Sequence, residues 1–326
     1  MKGDWSMNKQ YINDVLDYLK AEYPEHYMIS AITNRKNNGQ ELQGVVIRDV
    51  TAPNNTAPIL YIDEYYTNGF EADETAIMIM GEYEAVINTT VPFDVSEIMN
   101  FEAVKDRIFF RVVNRNYNEA DLQDKPHYEF AQDLAVLFYV DVAYGIVDVT
   151  NALYDVWGVD GDTLLEVAKQ NGKRKNPAEL VQVVEAIVQE FSDMQIAVMK
   201  TESGNGDLTN DEFRQMMIAS KENVPLYIWR AGSEFGASVL LYDEIESIQE
   251  QIGNKFYILP SSTGEVLVLP YEEEYKVSEL KEMVAEINSQ YLHPTQILSE
   301  NVYIVTEQGE IFVAKDNIPK QQAVAR

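Results

Sequence analysis

Carboxylates are the groups with which this sequence could do chemistry: it has 54 Asp and Glu against 25 Lys and Arg. Some stand close together, as Asp63-Glu64, Asp160 with Asp162, Asp243-Glu244 and Glu272-Glu273-Glu274. Such pairs can hold a hard divalent cation, or share the acid and nucleophile roles of glycoside hydrolysis. In so acidic a chain they also arise by chance and sit in solvent, and spacing does not choose among them.

The most patterned acidic stretch is TESGNGDLTNDEF, residues 201–213. With Gly206 at the sixth position of a calcium loop, Asn205 falls at the fifth and Asp207 at the seventh. Glu212 then stands at the twelfth, where a bidentate glutamate belongs. The first and third positions, Thr201 and Ser203, carry no carboxylate. The competing reading is a Gly-rich turn into a helix capped at Thr209 or Asn210, with Asp211 and Glu212 in the dipole-favoured first turn.

Three histidines, His26, His127 and His293, show no HxH or HxxxH metal spacing. His127, in DKPHYEF with Asp124 and Glu129 nearby, is a candidate general base or a local hydrogen-bonding group. Ser262 and Glu265, in LPSSTGEVLVLP, are a candidate nucleophile and acid. No G-x-S-x-G elbow surrounds them, and the segment also reads as a hairpin turn. There is no cysteine, which excludes thiolate catalysis, disulfides and thiolate-held metals. No P-loop or dinucleotide fingerprint occurs. No cofactor is expected.

A formal charge of −29 opposes contact with phosphate backbones. The one basic knot, Lys173-Arg174-Lys175, is read as a loop. No apolar run is long enough for a membrane span, and the N-terminus lacks the apolar segment of a secretion signal. The expected location is the cytoplasm.

The elements that must position these groups follow from periodicity. NKQYINDVLDYLKAEY is a helix ended by Pro24, with Ile12, Val15, Leu16 and Leu19 on one face. Asn37-Asn38-Gly39 turns between two strands. PILYIDEYY reads as a strand, and a helix is predicted over 72–86. DRIFFRVVN alternates as a strand, with Ile108, Phe110 and Val112 on one face and Arg107, Phe109 and Arg111 on the other, and 134–140 is apolar on both faces, as a central strand would be. From 150 to about 220 helices dominate. One of them is NPAELVQVVEAIVQEF, with Asn176 as N-cap and Pro177 opening it; another starts near Asn210 with Phe213, Met216 and Met217 inward. Beyond it, VPLYIWR, ASVLLY, KFYILPSS and GEVLVLP read as strands. YDEIESIQEQIG is a helix closed by Gly253. SELKEMVAEINSQY is a helix with Leu280, Val284, Ile287 and Tyr291 on one side. A hairpin turns at Gln308-Gly309, and DNIPKQQAVAR reads as a frayed tail. The expected class is α+β: two mixed or antiparallel αβ lobes, 1–149 and 223–326, with a helical middle segment, 150–222.

Several segments together resemble a domain-of-unknown-function family of anaerobic Gram-positive bacteria and their mobile elements. They are NNGQELQGVVIRDV, APILYIDEYYTNGFEADE, RIFFRVVNRNYNEADLQDKPHYEFAQDLAVLFYV, VPLYIWRAGSEFGASVLLY, FYILPSSTGEVLVLP and ILSENVYIV. The resemblance implies no activity and no catalytic residues. It draws Asn114, Asn118 and Asp133 into the pattern, as turn, cap and strand-edge groups or as members of a site. The expected function is that of an acidic protein that binds another protein, one with a basic groove among the options, as a phage or mobile-element inhibitor of a host defence system would. The alternative is a divalent-metal hydrolase using carboxylate ligands. The sequence is silent on oligomeric state.

Overall fold

The computed structural model describes residues 7–52, 57–89, 95–142, 145–220, 225–260 and 262–316. The architecture is α+β, with three antiparallel sheets.

Helix α1 (Lys9–Glu22) starts where the Asn8 side chain accepts the Gln10 N–H at 2.9 Å. It ends at Tyr23, ahead of Pro24. Strands β1 (Tyr27–Arg35) and β2 (Glu41–Asp49) pair over nine residues, and β3 (Ile59–Tyr61) adds to β2. Between β1 and β2, Asn38 and Gly39 adopt φ of 58° and 65°, the left-handed region that Asn and Gly enter most cheaply. The strand expected over PILYIDEYY stops after three residues. Asp63 instead opens the short helix α2 (Asp63–Thr67), and its carboxylate accepts the Gln43 N–H at 2.7 Å. The next helix, α3 (Ala72–Thr89), outruns its predicted end. Val15 and Leu19 of α1, Val45 and Ile47 of β2, and Ala76, Ile79 and Tyr83 of α3 form a buried core on one face of this sheet.

After α4 (Phe101–Val104) comes β4 (Ile108–Asn114), then α5 (Glu119–Asp124), β5 (His127–Phe130), β6 (Leu134–Val142) and β7 (Gly145–Asp148). Strand β4 forms as its alternation predicts and is covered on both faces, Phe109 being as enclosed as Phe110. Strand β6 has three neighbours in its sheet and is buried from 134 to 140, as its apolar run predicts.

Helices α6 (Asn151–Trp157) and α7 (Gly161–Lys175) follow. Lys173, Arg174 and Lys175 form the last turn of α7, not a loop. Cations there complement the carbonyl end of the helix dipole. The helix expected over 176–191 is also corrected. Residues Ala178–Gln182 form strand β8, and only Val183–Glu190 is helical, as α8. Five residues of β8 pair with β9 (Tyr227–Ala231), from Ala178 opposite Ala231 to Gln182 opposite Tyr227. That partner lies some fifty residues away, so no local periodicity announces it. On α8, Ala186 and Val188 are buried, while Ile187 is 47% exposed.

Helices α9 (Asp193–Glu202) and α10 (Asn210–Ser220) complete the helical stretch. Phe213 points inward as expected, while Met216 is exposed. ASVLLY is a 3-10 turn over Gly236–Leu241, not a strand. Residues 236–240 are all buried, and an element buried all round shows the unbroken apolar run that a central strand shows. A Cβ added at Gly236 would lie 1.9 Å from the Gly264 carbonyl oxygen, so only glycine fits that crossing.

Helix α11 (Ile245–Ile252) ends at Gly253, whose φ is 113°. Strands β10 (Phe256–Leu259), β11 (Val266–Pro270), β12 (Tyr303–Val305) and β13 (Ile311–Val313) join β8 and β9 in the order β13-β12-β10-β11-β9-β8. Helix α12 (Val277–Tyr291) packs Leu280 and Val284 against Tyr257, Leu259 and Val302. Its last inward residue is Asn288, while Tyr291 is 76% exposed. The hairpin turns at Gly309, φ 80°. The expected frayed tail, apart from Asp316, lies outside the described residues.

The chain divides into two compact units. One contains the residues up to Phe109, Tyr117–Pro126 and Phe138–Val167. The other contains Phe110–Asn116, His127–Leu137 and the residues from Ala168 onward.

Candidate functional site

Residues 203–209 fold as a turn between α9 and α10. Gly204 takes the positive φ, 75°, while Gly206 does not. The Asn205 amide donates to the Ser203 hydroxyl at 3.0 Å. The Lys200 ammonium donates to the Leu208 carbonyl at 2.8 Å. Glu212 accepts both the Thr209 N–H and the Thr209 hydroxyl at 2.8 Å, and its own N–H donates back to that hydroxyl at 3.2 Å. This is a reciprocal helix cap. The Thr209 N–H, with its hydroxyl, holds the Glu212 carboxyl below its usual range. Asp207 shares no ligand geometry with it. Among the described residues, no three His, Asp or Glu side chains gather as a metal site would require.

His127 opens β5, opposite Leu137 of β6, with Nε2 3.9 Å from a Glu129 oxygen. Glu129 itself pairs with Arg115 at 3.1 Å. Ser262 forms an isolated bridge with Ile297. Its hydroxyl accepts the N–H groups of Gly264 and Glu265 at 3.2 and 3.1 Å, which is turn chemistry. The Glu265 carboxylate points instead to Arg230, 3.6 Å away. Burial pushes the Glu265 carboxyl up, Arg230 opposes that rise and Glu190 adds to it. Arg230 lies directly opposite Glu179 on β8, and the two are 2.6 Å apart. The His127 ring, the Ser262 hydroxyl and the Glu265 carboxylate therefore have different side-chain partners, although Ser262 and Glu265 share one turn.

Asp133 is different. It follows Ala131 and Gln132, two consecutive non-glycine residues with φ of 48° and 74°. Backbone of this kind costs on the order of 1–3 kcal/mol per residue and persists only where its surroundings over-determine it. The surroundings do so here. The Asp133 N–H donates to the Ala131 carbonyl at 3.0 Å, and the Asp133 carbonyl accepts the Arg115 N–H at 2.7 Å. The carboxylate, 7% exposed, accepts from the Ser299 hydroxyl at 2.7 Å and the Asn301 amide at 2.9 Å. The Tyr303 hydroxyl donates to its other oxygen. The Asn114 amide lies 3.4 Å away and donates to the Leu298 carbonyl at 3.0 Å.

The partners are themselves fixed. The Ser299 hydroxyl accepts the Asn301 N–H at 2.9 Å. The Ser299 carbonyl accepts the Asn288 amide at 3.1 Å. The Lys281 ammonium donates to the Asn301 side-chain Oδ1 at 3.3 Å. Tyr303 is 1% exposed. Burial first, and then the charge of Asp133, pushes its hydroxyl far above the ordinary tyrosine range. It therefore stays protonated and donates. A buried carboxylate surrounded by donors is strongly coupled to them, because the local dielectric is low.

The centre pins the 298–303 segment to the turn at 130–133. Ser299 is fully enclosed, and no imidazole adjoins it to take a proton. Its chemistry is positional. Sequence reading singled out Asp133 and Asn114 but missed Ser299, Asn301, Tyr303 and Asn288. The available signal was in ILSENVYIV, where Ser299 and Asn301 interrupt an apolar strand approach. Asn118, the third residue of the pattern, belongs to the other unit. There it is 1% exposed, and its side chain accepts the Asn38 N–H at 2.8 Å, holding that left-handed turn.

No curated protein matches this chain, and no solved structure does. The model of a family of unknown function, DUF5688, matches residues 8–306, and the chain belongs to that family.

Proposed function

We propose that the protein acts by binding a basic protein partner rather than by catalysis. The observation that carries this reading is the surface of residues 183–220. Seven acids there, Glu185, Glu190, Asp193, Glu202, Asp207, Asp211 and Glu212, face two bases, Lys200 and Arg214. Both bases are engaged within the chain. Lys200 binds the Leu208 carbonyl, and Arg214 binds the Phe191 carbonyl at 2.9 Å and Asp193 at 3.0 Å. On α9 of this acidic segment, Met194 is 80% and Val198 51% exposed. They stand four residues apart, on one helical face. Apolar anchors rimmed by uncompensated acid suit a partner with exposed apolar side chains among lysines and arginines. A protein whose basic groove otherwise holds nucleic acid is the class that fits, and inhibition of a host defence protein in the cytoplasm is the use we propose.

The test is capture of partners from nuclease-treated lysate of the source cell, at about 50 mM and about 500 mM salt, with Met194→Lys/Val198→Lys as the comparison. The reading expects a stoichiometric basic protein, released by salt and not retained by the double variant. A partner held equally at both salt concentrations, or equally by the double variant, would refute it.

A further inference from the structure

Strand β1 is an edge, and it carries none of the devices that usually blunt one. Among the described residues it pairs with β2 alone, over nine consecutive residues from Tyr27 opposite Asp49 to Arg35 opposite Glu41, with no bulge. It contains no proline, and its only charge is Arg35 at its end. Ser30, Ala31, Ile32 and Thr33 are all exposed at its middle, and Met28 is 58% exposed. Natural edges of this length are interrupted by charge, proline or a bulge, or else they are covered.

The local charge selects the occupant. The whole chain carries −29, so two copies repel over most of their surface. Residues 27–49, which hold β1, β2 and their turn, carry Arg35, Lys36 and Arg48 against Glu41 and Asp49. Three bases less two acids leaves +1 there. This sheet is thus a place where a second copy meets little local like-charge repulsion, whereas a strongly basic partner would gain nothing.

We infer that β1 pairs antiparallel with β1 of a second copy, joining two three-stranded sheets into one across a two-fold axis. An axis at Ala31, the centre of the strand, pairs all nine residues. Ala31 then meets Ala31, Ser30 of one copy faces Ile32 of the other, and Met28 faces Asn34. Small residues stand at the axis, and no like charges oppose each other. A two-fold contact is closed, so assembly stops at two chains. The surface is distinct from the acidic helices discussed above, and the inference stands independently of them.

The absence of cysteine makes the test clean. In Ala31→Cys the single thiol of each copy faces its equivalent at the axis. Opposed Cα atoms in an antiparallel pair lie about 4.5–5.5 Å apart, within the disulfide range. In Thr33→Cys the two thiols are displaced by four residues, about 13 Å along the strand. By light scattering after gel filtration, the wild type should show twice the 37.2 kDa of one chain. Ile32→Lys, which places a charge on each strand near the axis, should show one chain, with an unchanged far-UV spectrum. Mild oxidation should couple Ala31→Cys and not Thr33→Cys. The inference is overturned by a single-chain mass for the wild type at about 100 µM, a concentration well above ordinary dimer constants. A dimer that survives Ile32→Lys, an open-ended polymer, or failure of Ala31→Cys to couple would each overturn it as well.

Discussion

Replacing Asp133 by Asn keeps the shape of the side chain and removes its charge. It also presents an amide N–H₂ to a pocket built of donors. The Ser299 hydroxyl, the Asn301 amide and the Tyr303 hydroxyl all point at the carboxylate, so one orientation of Asn leaves donors facing donors. A buried donor left without its acceptor costs about 1–3 kcal/mol, so two or more such donors here bring the loss to about 3–5 kcal/mol. For a unit of roughly 150–250 residues that is a fall in Tm of roughly 6–20 °C, at about 2–4 °C per kcal/mol. Tyr303→Phe removes a single donor to the charge and should cost less, about 1.5–3 kcal/mol. The double variant should lose less than the sum of the two, with a coupling of about 0.5–3 kcal/mol. Urea denaturation followed by near-UV circular dichroism reads all three. Tyr303 adds a pH signature. Its folded hydroxyl titrates above the ordinary tyrosine value of 10.0. Folding therefore retains a proton that the unfolded chain releases above about pH 10. The stability is fully present below pH 10 and is lost as pH rises toward the folded value. Tyr303→Phe should flatten that alkaline slope. If Asp133→Asn lies within about 0.5 kcal/mol of the wild type, as an ordinary surface change does, the cluster does not hold the turn and the argument fails.

Two further outcomes follow from local geometry. Gly236→Ala should destabilise by at least about 2 kcal/mol, because the new methyl meets the Gly264 carbonyl at 1.9 Å; Gly264→Ala, with 3.7 Å to its nearest neighbours, should be nearly neutral in the same thermal melt. Thr209→Ala should cost about 1 kcal/mol through loss of the cap shared with Glu212, and millimolar calcium should leave the wild-type Tm unmoved; a rise on adding calcium would make the 201–213 loop a metal site after all.

The elements that the sequence announces are those governed by neighbouring residues. Helix α1 shows its apolar face and its cap at Asn8 in one short window, and Asn38-Gly39 marks a turn because few other residues tolerate that backbone. The same locality explains the errors. AELVQ is a strand only because β9 pairs with it, and ASVLLY is a 3-10 turn whose all-round burial imitates a strand. The Asp63-Glu64 pair, read inside a strand, opens a short helix, and the Asp63 carboxylate accepts the Gln43 N–H of the neighbouring strand.

The chemistry divides along the same line. Composition by itself settled that no cysteine chemistry occurs and that the chain is strongly acidic. Sequence also showed how TESGNGDLTNDEF departs from a calcium loop at its first positions. Only the tertiary structure decided that Asp133 is the centre of a buried network, since its hydrogen-bonding partners Ser299, Asn301 and Tyr303 lie 166, 168 and 170 residues away. A polar side chain has the same identity on a solvated turn and in a core. What distinguishes the two is the set of donors that folding brings within about 3 Å, and no spacing in the chain records it.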